Sequence, residues 1–125
     1  MEVKEKIRFW KEEAKEALSI AEDLYHLKRY VQALFFGHLA IEKLLKARIL
    51  EVSKKEPLYS HDLVILSSHA KIKLIPQDLD FLARVNVYNI RARYQDYKKS
   101  LYKQANKKFT AAELAAIKKF FRKIK

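Results

Sequence analysis

The sequence predicts an all-α fold, an antiparallel up-and-down bundle of four to five helices forming one domain over residues 1–125. Three observations carry that prediction. The chain has one glycine and two prolines, so the turn residues that hairpins and sandwiches need at short intervals are missing. Apolar residues recur every three or four positions through long stretches, the period of a helix with one buried face. Thr110-Ala-Ala-Glu113 has the form of a capping box, in which a hydroxyl and a carboxylate satisfy free amides at a helix start.

The first helix is drawn by Val3, Ile7, Trp10, Ala14, Ala17, Leu18, Ala21, Leu24 and Tyr25. Its roughly 24 residues would reach about 36 Å, and its opposite face carries Glu5, Lys11, Glu12, Lys15, Glu16 and Glu22. A short break at His26–Arg29 makes the next helix antiparallel to it. That second helix, Tyr30 to Val52, is apolar around most of its circumference, through Val31, Leu34, Phe35, Leu39, Ile41, Leu44, Leu45 and Ile49. Such a helix sits at the centre of a bundle or is shared with a dimer partner. Ser53 to Tyr59, with Pro57, is a loop. Ser60 is the expected N-cap of a short third helix running through Ala70, with Asp62 in its first turn. Pro76 stands near the start of a fourth helix over about Gln77 to Arg91, with Leu79, Leu82, Val85 and Tyr88 as its stripe. Arg91 to Lys108 is polar, basic and aromatic and reads as an irregular excursion with room for a helical turn. The final helix then starts at Thr110 and is striped by Leu114, Ile117, Phe120, Phe121 and Ile124.

Composition excludes several classes of chemistry. There is no cysteine, which removes thiolate metal sites, cysteine nucleophiles and disulfides and fits a reducing compartment. Gly37 alone cannot build a phosphate-cradling glycine loop, so any phosphate would be held by side chains or helix N-termini. His26, His38, His61 and His69 show no metal-ligand spacing; neither a metal nor a cofactor is expected. The N-terminus lacks the apolar core of a signal peptide. The longest nearly uncharged apolar run, Tyr30 to Ile41, is too short for a bilayer, which takes about 20 residues. A soluble cytoplasmic protein without membrane contact is the expectation. The net charge of +12 favours anionic partners, unless it only keeps a lysine-rich surface soluble.

Two constellations carry chemistry. The first is Tyr88-Asn-Ile-Arg-Ala-Arg-Tyr-Gln-Asp-Tyr97. Arg91 and Arg93 offer planar forks for phosphate, while Tyr94 and Tyr97 offer rings for base stacking and hydroxyls for phosphate oxygens. The same residues would also suit a structural role, with Asp96 pairing one arginine and the tyrosines packing on neighbouring helices. The second is His38, Glu42 and Lys46, spaced i, i+4, i+8 on one face of the apolar second helix. A buried unpaired carboxylate costs several kcal/mol, so Glu42 needs Lys46 or an arginine of the 91–93 stretch. That arrangement, too, is satisfied by a purely structural ion pair or by a solvated seam.

Three segments together resemble the HEPN family, in particular its short stand-alone bacterial and archaeal members. They are the aromatic-rich run Tyr30 to Ala47, Ser60-His-Asp-Leu63 and Ala92-Arg-Tyr-Gln-Asp96. The likeness covers nearly the whole chain, and its most specific part is Ala-x-Glu-Lys-x-x-Lys-Ala at Ala40 to Ala47, which contains Glu42, Lys43 and Lys46. The resemblance implies a helical bundle that forms a homodimer and works on nucleotides or RNA. It also implies a minimal nucleotidyltransferase as partner, the two forming a toxin–antitoxin pair in which the HEPN protein is the toxic ribonuclease. Ribonuclease members carry an arginine, then four to six residues, then a histidine. Here those positions are Asp96, Tyr97 and Lys98 after Arg91, and Lys98, Lys99 and Ser100 after Arg93. A tyrosine with pKa about 10 is a poor substitute for imidazole in proton transfer near pH 7. The Arg-Tyr-Pro of close relatives also reads Arg-Tyr-Gln here, which loosens the turn.

The leading expectation is therefore a nucleotide- or RNA-binding HEPN dimer acting with a nucleotidyltransferase. Arg91 and Arg93 would sit on phosphate, with Tyr94 or Tyr97 stacking or bonding. Glu42, Lys43, Lys46, Asp96 and His61 would support them. A metal-independent ribonuclease using a motif without histidine, and a non-catalytic interaction bundle, are the alternatives. Under the first two, a hydroxyl of Tyr94 or Tyr97 would be able to accept a nucleotidyl group from the partner.

Overall fold

A computed structural model describes residues 2–124, and for residues 95–98 the backbone alone. Six helices follow one another: α1 Val3–His26, α2 Tyr30–Ser53, α3 Leu63–His69, α4 Pro76–Arg93, α5 Gln95–Gln104 and α6 Lys107–Ile124. No strand occurs among the described residues. The chain is an all-α bundle, as the sequence predicts, with α2 packed against α1, α3, α4, α5 and α6. Val31, Leu34, Ile41, Leu44, Leu45, Ile49 and Leu50 point from different sides of α2 into the core, which is why its apolar residues follow no single stripe. Ala14, Ala17 and Ala21 let α1 lie close along it. Gly37 does the same for α6, since a Cβ there would stand 2.7 Å from Ile117 Cδ1.

With so little glycine, three lysines take the left-handed conformation at the connections: Lys28, Lys54 and Lys71, at φ 63, 59 and 55. A side chain there costs roughly 1–2 kcal/mol. A cation at the negative end of the helix dipole returns about 0.3–1 kcal/mol of it. Lys28 closes the α1–α2 turn, in which Arg29 N donates to Leu24 O at 2.8 Å. Helix α3 is capped by Asp62 and not by Ser60: Asp62 Oδ1 accepts from Val64 N at 2.9 Å and Ile65 N at 3.4 Å. Ser60 Oγ supports that cap by accepting from Asp62 N.

The C-terminal third corrects the sequence reading twice. The excursion expected over 91–108 is mostly α5, separated from α4 by Tyr94 alone, which has extended angles of φ −102 and ψ 124. Leu101 and the following Ala105 are its buried anchors, too few to stand out among charged neighbours. The cap of α6 lies earlier than Thr110. Asn106 Oδ1 accepts from Phe109 N at 2.8 Å, and the helix starts at Lys107. Thr110 is instead buried with its hydroxyl lacking a partner among the described residues. Glu113 receives Arg84 Nε at 3.1 Å, joining α6 to α4. In α4, Leu82, Val85 and Tyr88 are buried as expected, whereas Leu79 faces outward. Among the described residues no helix is long and apolar enough to cross a membrane.

This assignment separates two variants. Asn106→Ala should cost about 1 kcal/mol. Thr110→Val should raise stability by about 1 kcal/mol, because it replaces an unsatisfied buried hydroxyl with a methyl group. Urea midpoints read both, and a loss of stability in Thr110→Val would restore the later cap.

Candidate functional site

The polar cluster on α2 is buried. His38, Glu42 and Lys46 are 0%, 4% and 7% exposed. Lys46 Nζ donates to Glu42 Oε2 at 3.0 Å and lies 5.4 Å from the centre of the Trp10 ring on α1. The second partner of Glu42 comes from outside α2. His61 Nδ1 donates to Glu42 Oε1 and Oε2 at 3.0 and 3.2 Å. Lys46, then, fills the role the sequence reading assigned to it or to an arginine, and the histidine is the addition. Lys43 turns away and bonds Glu13 of α1 at 3.2 Å.

His38 holds the backbone of that histidine by donating from Nε2 to His61 O at 3.0 Å. Burial pushes its pKa below the ordinary value of 6.5, against the opposing pull of Glu42. The ring is neutral, so its Nδ1, 3.7 Å from Glu42 Oε1, is a close neighbour of the carboxylate and not its ion-pair partner. Nδ1 has no hydrogen-bond partner among the described residues.

The segment around His61 is pinned from α4 as well. Asn86 Oδ1 accepts from Leu63 N at 2.8 Å, and Asn86 Nδ2 donates to Asp62 Oδ1 at 2.9 Å. The helix cap, the asparagine bridge and the His38 bond fix the backbone, while Glu42 fixes the ring. The His61 side chain remains 46% exposed, with the Tyr59 ring edge-on at 5.7 Å. Among the described residues its Nε2 has no hydrogen-bond partner.

His61 and Asp62 form one wall of a cleft of about 220 Å³, and Asn86, Asn89, Ile90, Arg93 and Tyr94 form the other. Asn86, Asn89, Ile90 and Arg93 recur at three- and four-residue steps on one face of α4. Arg93 is exposed, and its only hydrogen-bond partner among the described residues is Asn89 Oδ1, at 3.3 Å. Its fork therefore keeps most of its donors for a ligand. A second hollow of about 180 Å³ lies against Arg93, lined by Val31, Gln32, Phe35, Phe36 and Ala92. The first cleft is below the roughly 300 Å³ at which drug-sized pockets begin. It suits one group of a longer ligand.

The two arginines part company. Arg91 bonds Gln104 Oε1 at 2.8 Å and Ser100 Oγ at 3.0 Å, which braces α5 against α4 away from the cleft. Two positions apart on a helix is about 200°, on opposite sides. Tyr94 is exposed at the cleft. The side chains of Asp96 and Tyr97 lie outside the described residues. No group of three or more His, Asp or Glu able to hold a metal ion occurs among the described residues.

These features define an all-helical protein with a buried ionic cluster behind a polar, arginine-bearing cleft. The HEPN domain model matches residues 7–123. The chain belongs to the HEPN family. No curated protein and no solved structure matches it.

The lowered pKa of His38 sets a sign for stability against pH. The unfolded chain binds a proton at this histidine near pH 6.5 and the folded chain does not. Stability is therefore complete above about pH 6.5 and falls as the pH drops below it, by at most about 1.4 kcal/mol per unit. His38→Gln should flatten that slope in thermal midpoints compared at pH 7.5 and 5.5. An unchanged slope would assign the acid sensitivity elsewhere.

Proposed function

We propose that the cleft of His61, Asn86, Asn89, Arg93 and Tyr94 binds the phosphate of a nucleotide or of single-stranded RNA. The exposed guanidinium of Arg93, bonded among the described residues to Asn89 alone, carries this reading. It stands exposed at the end of α4 beside two asparagine side chains, in a chain of net charge +12. Membership of the HEPN family supports a nucleotide- or RNA-related function. A base next to the bound phosphate would find aromatic surface at Tyr94 on one side and at Phe35 and Phe36 on the other. Stacking of this kind contributes about 1–3 kcal/mol per base and tolerates any sequence.

The working unit in this reading is a homodimer. Leu79, Val87 and Ile90 on one side of α4, and Tyr94 just past its end, are all at least 40% exposed, and Ile90 and Tyr94 line the cleft. An apolar stripe on so cationic a chain is better covered by a second copy than left in water. Two copies joined there would bring their clefts together, doubling the positive charge offered to one strand. The further partner is a minimal nucleotidyltransferase, with the pair acting as toxin and antitoxin. This part of the reading rests on the family resemblance.

The two arginines give the test of the site. A charged hydrogen bond contributes about 1.5–3 kcal/mol, so Arg93→Ala should weaken binding of labelled RNA or ATP at least about tenfold. Arg91→Ala should change it by less than about threefold. Equal losses in the two variants, or none in Arg93→Ala, would remove the cleft from the function. Light scattering tests the assembly. The chain alone should weigh twice its 14.8 kDa, and a Val87→Lys/Ile90→Lys variant should weigh that of one chain. A nucleotidyltransferase encoded beside this chain should co-elute with it, and separate elution would contradict the pairing.

A further inference from the structure

We infer that the seam between α1 and α6 is a docking groove for an acidic amphipathic helix of a partner protein. The seam shares no lining residue with the cleft, so its role does not depend on the phosphate-binding reading.

Both helices lie on α2 and touch each other only lightly. Between them are two hollows, of about 290 and 400 Å³. Glu22, Lys118 and Arg122 line both, so the hollows join into one groove. Its α1 wall reaches from Lys15 to Tyr25 and its α6 wall from Ala111 to Arg122. At a rise of 1.5 Å per residue each wall is about 15 Å long, which matches about three turns of a helix laid alongside.

The groove is apolar within and cationic at its rim. Leu18 and Tyr25 supply the apolar surface from α1, and Leu114 and Phe121 supply it from α6. Ser19, Ala111 and Ala115 also line it, with side chains too short to bar a third helix. The cations are Lys15 on one wall and Lys118 and Arg122 on the other. Glu22, the one carboxylate among the lining residues, pairs with Lys118. Lys15 and Arg122 are exposed and have no ion pair among the described residues. Arg122 in the last turn of α6 would suit the helix dipole by itself, but that role gives no account of Lys15 on the facing wall. A helix with apolar residues at i, i+3, i+4 and i+7 would fill the interior. Asp and Glu on its flanks would meet a cation on either side. RNA fits less well, because stacking needs an open ring face. Phe121 is 5% exposed, and Tyr25 packs against His26 and Tyr30.

The test selects helix-forming peptides of about four turns from a display library on the whole protein. Sequences with apolar residues at helical spacing, flanked by Asp and Glu, should be enriched. One such peptide, fluorescently labelled, is then titrated by anisotropy against variants at exposed positions. Lys15→Glu/Arg122→Glu should weaken its binding at least about tenfold, as attractive pairs become repulsive. Lysine in place of the peptide's acidic flanks should restore binding to that variant. Ser19→Trp, which fills the groove, should weaken the original peptide by a similar factor. Lys55→Glu/Lys103→Glu, the same change of net charge elsewhere, should leave binding within about threefold, since distant charges are screened. A library that yields no acidic helix, or a peptide bound equally by wild type and groove variants, would overturn the inference. Two further results would reassign the groove and also overturn it. One is a Ser19→Trp protein that weighs one chain in light scattering where the wild type weighs two, which makes the groove a contact between copies. The other is loss of RNA binding, with peptide binding intact, in Lys15→Glu/Arg122→Glu.

Discussion

A carboxylate in the middle of an apolar helix is the constraint around which this protein is arranged. Glu42 is nearly inaccessible on α2, the helix that every other helix touches. Leaving such a charge unpaired costs several kcal/mol, and removing one partner of a buried pair costs about 3–5 kcal/mol. Lys46 bonds one of the Glu42 oxygens, Oε2. The carboxylate therefore recruits His61 from the connection to α3, and its ammonium partner rests on Trp10 of α1. One ionic cluster thus ties the first helix, the central helix and the loop that borders the cleft. Replacing it by apolar side chains of the same volume would keep the bundle, since such replacements are often neutral or stabilising. What would go is the aimed imidazole.

The cleft inherits its order from that cluster and from α4. Asn86 bonds the backbone of Leu63 and the cap of α3, so the third and fourth helices meet at a fixed spacing. Two turns further along α4, Arg93 is exposed and bonds, among the described residues, only Asn89. Rigid positioning on one wall and an underused cation on the other is the arrangement that phosphate recognition asks of a protein without glycine loops. Arg91, two residues away, is consumed in bracing α5. Within one short basic stretch, one arginine builds the structure and the other faces solvent.

The bundle was legible because its long helices bury single faces or nearly all faces, and both leave plain patterns: α1 and α6 by their stripes, α2 by its lack of one. Helix α5 was hidden because its burial rests on Leu101 and Ala105 amid charge and tyrosine. Two caps were misplaced, at Ser60 and Thr110, because several Ser, Thr, Asn and Asp residues compete near each start, and only geometry chooses Asp62 and Asn106. For the site, the i, i+4, i+8 spacing identified His38, Glu42 and Lys46, and the need of Glu42 for a partner was readable as energetics. The chain gave no distance between Glu42 and His61, nineteen positions apart. A histidine sought only downstream of Arg91 and Arg93 is not found. The available signal was the Ser60-His-Asp-Leu63 run, a capped helix start carrying a histidine that its own helix does not require.

The orientation of the His61 ring decides whether Glu42 aims the imidazole toward the cleft, and long-range nitrogen–proton correlation spectra of the ¹⁵N-labelled protein at about pH 8.5 read it directly. The hydrogen bonds from Nδ1 to Glu42 predict a ring proton on Nδ1, shifted downfield, and a bare Nε2. A ring protonated at Nε2 would contradict that arrangement.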